Sequence, residues 1–180
     1  MTAHQRKFTT TRSEDMPRTQ CGTWTLLCAI VFGIALVPAT SAHAQMLDKK
    51  AISLAAAKKM VAAAEAEATK NHWGMCIAVV DEDGISILTE RMDECQVGSI
   101  DVALGKARTA ARYRRPSKFY EDAVNKDDRV GLLTVEGLVA LEGGFNVVVD
   151  GKTIGAIGCS GATSVQDGQV CKAGLDAMTK

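Results

Sequence analysis

Residues 143–161 read GGFNVVVDGKTIGAIGCSG, and six of these 19 positions are glycine. A phosphate-binding loop would use such glycines to aim bare backbone N–H groups at an anion. The dinucleotide fingerprint places G-x-G-x-x-G between a strand and a helix, and the P-loop ends in G-K-[ST]. Gly155, Gly158 and Gly161 are spaced by three and fit neither pattern. From Ile154 onward, glycine or alanine alternates with isoleucine, which describes a strand that a helix or a flat ligand can approach closely. A second candidate is the acidic turn Asp81–Gly84. A calcium loop opening at Asp81 would need glycine at its sixth position and glutamate at its twelfth. Ser86 and Met92 stand there, so calcium is rejected. A third is the basic run Lys106, Arg108, Arg112, Arg114 and Arg115. Cations near a helix C-terminus complement the macrodipole. The sharper reading is a local site for the carboxylates of a ligand.

Cysteine chemistry depends on where the chain resides. Trp24–Ala39 is almost wholly apolar, follows Lys7, Arg12 and Arg18, and runs into SAHA. That is the pattern of a secretory signal peptide. Cleavage is expected after Ala44, leaving residues 45–180 as one domain in the periplasm or outside the cell. The processed chain holds 17 basic and 19 acidic residues, a net charge of −2, which gives no reason to bind nucleic acid. It keeps Cys76, Cys95, Cys159 and Cys171. An oxidising compartment allows two disulfides, and the spacing alone leaves all pairings open. No C-x-x-C occurs to suggest a zinc or redox site.

The elements that must position these residues read as α-β-β-α-α-β-β-β-α. Ser53 caps a first helix with a stripe of Leu54, Ala57, Val61, Ala64 and Ala68. Strands at about 75–80 and 85–92 flank the first Asp-Gly turn. Ser99 caps a second helix, with Ile100, Ala103, Leu104, Ala107, Ala110 and Ala111 inward and Lys106, Arg108 and Arg112 outward. A short helix comes next at about 117–125, then a strand at about 132–139. The second Asp-Gly hairpin is after it, and a last helix is capped by Asp167. Two Asp-Gly hairpins imply a mainly antiparallel sheet, an α+β domain.

The segments IAVVDEDG, ERMD, IDVALGKARTAARYRRPS, EGG, DGKTIGAIGCSG and QDGQVCKAG occur in order from about Ile52 to Met178. Together they resemble the GlcG/HbpS family of haem-binding and related proteins, whose domain also forms the C-terminal part of some corrinoid adenosyltransferases. The resemblance implies a profilin-like sandwich, a five-stranded antiparallel sheet with helices on its faces. It also implies homo-oligomers, from dimers to octamers, with ligand sites near subunit contacts. By motif, the ligand-binding positions are Arg91, Asp93, Lys106, Thr109, Gly143, Gly144, Ser160 and Gly161. The chain departs from the family at Asn146, where proline is usual, and at its four cysteines. The implied strand order gathers Cys76, Cys95 and Cys159 at one end of the sheet near Cys171. It favours bridges 76–159 and 95–171.

The function implied is that of an exported protein that binds haem, or a similar flat tetrapyrrole, for sensing, storage or protection. Haem iron accepts His, Met, Tyr or Cys. His72 is the single histidine of the processed chain and the first choice as axial ligand, ahead of Met92, Tyr113 and Tyr120. Arg112, Arg114 and Arg115 could pair with propionates. The alternative is an enzyme or accessory protein acting on haem, a corrinoid or small hydroxy acids, with Arg91, Asp93 and Lys106 holding an oxyanion. The same three residues could instead form an ion-pair network between strand two and helix two. A membrane sensor or periplasmic enzyme is the partner such an accessory protein would serve. No metal site is expected, since Glu90 with Asp93, or Glu65 with Glu67, are ordinary surface spacings.

Overall fold

Ser53 starts the first helix as its side chain predicts, its Oγ accepting from Ala56 N at 3.1 Å. This helix, α1 (Leu54–Lys70), is followed by β1 (Cys76–Asp81), β2 (Ser86–Arg91), α2 (Ser99–Tyr113) and α3 (Lys118–Asn125). After a 3-10 turn at Val130–Thr134 come β3 (Gly144–Val149), β4 (Lys152–Ser160) and α4 (Ser164–Met178). The computed structural model describes residues 47–178, so the expected signal segment lies outside the described residues.

The four strands form one antiparallel sheet in the order β2-β1-β4-β3. Alternation splits each central strand between two cores. Ile77, Val79, Ile157 and Cys159 pack with the buried face of α1 and with Val170 and Cys171 of α4. Cys76, Ala78, Val80 and Ala156 pack with Ala103, Ala107, Ala110 and Ala111 of α2. The glycine-rich strand is therefore a bare sheet. A Cβ at Gly158 would lie 2.2 Å from Ala103 O and 2.6 Å from Ala107 N, so only glycine lets α2 settle there.

Several expectations need correction. The strand at about 132–139 is absent: a 3-10 turn occupies its first part, and the described sheet has four strands rather than five. This segment finds its hydrogen bonds elsewhere. Thr134 Oγ1 donates to Gly131 O at 2.8 Å, and Thr109 Oγ1 of α2 accepts from Val139 N at 2.9 Å. Ser99 is the first residue of α2, not its cap, which is Gly98. Asp167 lies inside α4 and Leu54 is exposed. Lys106, expected on the solvated side of α2, is 1% exposed.

The bridges are Cys76–Cys95 and Cys159–Cys171, with Cα separations of 5.9 and 5.5 Å. The favoured pairs, 76–159 and 95–171, are both wrong. Cys76 pairs in register with Ser160, and Cys159 with Ile77. One residue of offset turns Cys76 toward α2 and Cys159 toward α4, so their sulfurs point to opposite faces of the sheet.

Candidate functional site

The end of α1 delivers an imidazole and an indole to the surface. Asn71 stops the helix, its Nδ2 donating to Glu67 O at 2.7 Å. His72 then turns into the left-handed region at φ 58°, and Trp73 N returns to Ala68 O at 3.0 Å. That turn leaves His72 exposed and lays Trp73, half-buried, against the core. Facing it is the chain leaving β2. Met92 N donates to Met75 O at 3.0 Å, and Cys95 N closes a turn on Met92 O at 2.9 Å. The Cys76–Cys95 bridge fixes this second segment to the start of β1. The two segments touch at Gly74, where a Cβ would lie 2.5 Å from the carbonyl carbon of Glu94.

Between them opens a cavity of 570 Å³, lined by His72, Trp73 and Gly74 on one lip and Arg91, Met92, Asp93 and Glu94 on the other. Its wall is completed by Glu65 and Thr69 of α1 and Glu90 of β2. Glu90 pairs in register with Ile77 and so shares the face that carries α1. Burial raises the Glu90 carboxyl above its ordinary value, and the adjacent Glu65 carboxylate, in hydrogen-bond contact, raises it further. Among the described residues, Arg91 is the one Lys or Arg in the lining, against four carboxylates.

Of the positions suggested by motif, Arg91 and Asp93 lie in this cavity with His72. Lys106 does not join them. Its Nζ donates to Asp167 Oδ2 at 2.6 Å and to Cys159 O at 3.2 Å, while Asp167 Oδ1 accepts from Ala162 N at 3.0 Å. Gly143 sits on this pair with φ 121°, and a Cβ there would come 3.0 Å from Lys106 Nζ. Gly144 N donates to Ser117 Oγ at 2.8 Å, and Ser117 Oγ donates to Leu141 O at 2.6 Å. Lys106, Thr109, Gly143 and Gly144 thus tie α2 to the β3 entry and to α4. Ser160 is buried beside Cys76, with Cys95 Sγ 3.7 Å from its carbonyl oxygen. Gly161 packs its backbone on Gly74, where a Cβ would meet Gly74 O at 2.1 Å.

The arginines of α2 lie at the opposite end of β1 from His72. Arg112 Nε donates to Asp83 O at 2.9 Å and Arg108 Nε to Gly84 O at 3.2 Å, both in the β1–β2 turn. Arg114 lines a separate cavity of 430 Å³ under residues 47–50, where Lys49 pairs with Glu82 at 2.6 Å. Arg115 lies over the Phe119 ring at 4.5 Å. None of Arg112, Arg114 and Arg115 lines the His72 cavity. Sequence reasoning missed the Glu65–Glu90 approach and the Lys106–Asp167 pair. A signal existed for the first: Glu65 follows the buried Ala64, and Glu90 alternates with the inward Leu88.

Residues 52–176 match the family described as "Haem degrading protein HbpS-like". The chain is 44% identical over 115 residues to Protein GlcG of Escherichia coli strain K12, covering 64% of this chain and 85% of that protein. Among solved structures, Klebsiella pneumoniae ORFY superposes with a TM-score of 0.67 at 32% identity, covering 75% of this chain and 98% of that one. A double mutant of Streptomyces reticuli HbpS gives a TM-score of 0.68 at 30% identity, covering 73% of this chain and 89% of that one.

Proposed function

The chain belongs to the HbpS-like family, and from that premise we propose that it is an exported protein that binds haem in the cavity between the α1–β1 and β2–α2 segments. The observation that carries this reading is the convergence of His72 and Met92, from separate segments, on one cavity walled by Trp73. Imidazole and thioether are both ligands that haem iron accepts. A cavity of 570 Å³ lies within the range of cofactor pockets. The residues present therefore fit the group. Bound haem would supply iron redox and ligand chemistry. The protein would supply His72 as first ligand, Met92 as second, and Trp73 as an apolar wall.

Charge sets the orientation. Arg91 is the cation available to a propionate, and Glu65 and Glu90 repel one. Arg91 would hold a propionate, and Trp73 would offer an apolar wall to the rest of the ring. Two disulfides support a residence in an oxidising compartment, as an exported chain would have. Exposed Val130, Leu133, Val135 and Leu141 support assembly into a homo-oligomer. Sensing, storage or protection of haem would each begin with this binding step.

The test is a haemin titration of oxidised residues 45–180, read at the Soret band, with His72→Ala and Met92→Ala alongside. A saturable shift lost in His72→Ala is the expected result. A shift unchanged in both variants places the haem elsewhere, and no saturable shift refutes haem binding.

A further inference from the structure

The Cys76–Cys95 bridge lies beside the His72 cavity, on the α2 side, and flanks both of its lips without lining it. It joins the first residue of β1 to the end of the segment that carries Met92, Asp93 and Glu94. That segment has no ladder of its own. Within the backbone it is held by the Met92 N–Met75 O bond and by one turn at Cys95. Gly74 adds a close backbone approach at Glu94. Among the described residues, the bridge is thus the one covalent cross-link between the segments that carry the two lips.

The two disulfides differ in access. Cys76, Cys159 and Cys171 are 0% exposed, whereas Cys95 is 5% exposed and lies in an irregular segment. Cys159 and Cys171 are enclosed in the larger core between sheet and helices. Thiol attack requires access to a sulfur, and Cys95 alone of the four has any exposed surface from which such attack could begin.

We propose that Cys76–Cys95 is a redox latch on this cavity: its reduction frees the Met92–Glu94 lip and releases the ligand, while Cys159–Cys171 and both cores keep the fold. This rests on the assignment of the cavity as the ligand site. The reductant class is a dithiol. Its first thiolate attacks Cys95 Sγ, forming a mixed disulfide and expelling the Cys76 thiolate, which takes a proton. Its second thiolate then attacks the reductant's own sulfur in that mixed disulfide and expels the Cys95 thiolate, which is protonated in turn. Two electrons and two protons pass to the protein, and the dithiol leaves as a disulfide.

The freed lip must order again before ligand can bind. If about one lip in ten is ordered after reduction, apparent affinity falls about tenfold. The experiment treats residues 45–180, which contain the whole described core, with limiting dithiothreitol. Thiols are then capped with N-ethylmaleimide and the reagents removed. Mass mapping of the caps, hydrogen exchange at residues 92–98 and haemin titration complete the measurement. The Cys76→Ser/Cys95→Ser and Cys159→Ser/Cys171→Ser variants are measured in parallel.

Caps should appear first on Cys76 and Cys95. Exchange at Met92 and Cys95 should accelerate with α1 and α4 still protected, and haemin affinity should fall about tenfold. The Cys76→Ser/Cys95→Ser variant should show the weak affinity without reductant. Caps appearing first on Cys159 and Cys171, or lip exchange unchanged by opening the bridge, would overturn the latch. Faster lip exchange in a protein that never binds haemin sinks the haem reading and leaves the latch standing. Equal haemin affinity in oxidised and opened protein sinks the coupling instead.

Discussion

Replacing Lys106 by methionine removes one half of an ion pair that is almost sealed from water. Lys106 is 1% exposed and Asp167 2%. Nζ and Oδ2 are 2.6 Å apart, and Cys159 O takes a second Nζ proton at 3.2 Å. Methionine keeps the stem volume and fills the same space. It leaves Asp167 buried, with the Ala162 N–H still donating to its Oδ1. Stranding a buried charge in this way costs about 3–5 kcal/mol. Lys106→Met should therefore lower the urea unfolding free energy of the oxidised domain by that amount. Asp167→Asn, which strands the ammonium instead, should cost a similar amount. The Lys106→Met/Asp167→Asn double variant should cost less than either single change, since no charge is then left without its partner and Asn can still accept from Ala162 N. Haemin affinity of the folded fraction should stay unchanged throughout, because Lys106 does not line the His72 cavity. A loss below about 1 kcal/mol for Lys106→Met, the range of exposed pairs, would refute the structural account. So would a double variant that is additive in its singles. Loss of haemin binding with stability intact would return Lys106 to the ligand site.

Gly158→Ala should destabilise by about 3 kcal/mol or more, because the Cβ would meet α2 backbone at 2.2 Å that no side-chain motion can relieve; thermal unfolding checks it. Glu90 has a raised folded-state value. The stability it contributes is therefore fully present below the unfolded value of about 4.3 and lost as pH rises through the folded one. Glu90→Gln should then raise stability near neutrality and flatten its rise on mild acidification, read by urea melts from pH 4 upward. Arg91→Ala should weaken haemin binding about tenfold at low salt, one charge-assisted contact, and narrow the gap at high salt. Expression of the full chain in an exporting host should yield a product beginning at Gln45, read by intact mass.

The layers of this fold are legible in the sequence because the spacing that encodes them is local. Ala57, Val61, Ala64 and Ala68 mark one helix face, and two Asp-Gly turns mark two hairpins. The site is harder because charge and register compete with that spacing. Lys106 stands three residues after Ala103 and four before Ala110, both buried, so periodicity points it inward. Its charge argues for the solvated side, yet a lysine can go inside when a carboxylate arrives from a distant element. Asp167 is 61 residues away, and nothing local announces it. The disulfides fail in the other direction. Strand order brings the cysteines to one end, while alternation along β1 and β4 separates Cys76 from Cys159. Register, not proximity, decides which sulfurs meet. The same rule accounts for the candidate site. Met92 follows β2 immediately, and Cys95 must reach back to Cys76 on the α2 face. The segment between them is drawn across the end of the sheet and faces the left-handed turn at His72. Arg112, at the far turn, cannot serve a ligand held there. The Cys76–Cys95 bridge holds the segment leaving β2 against the start of β1, beside the end of α1, and opening that bridge should be felt first by the ligand.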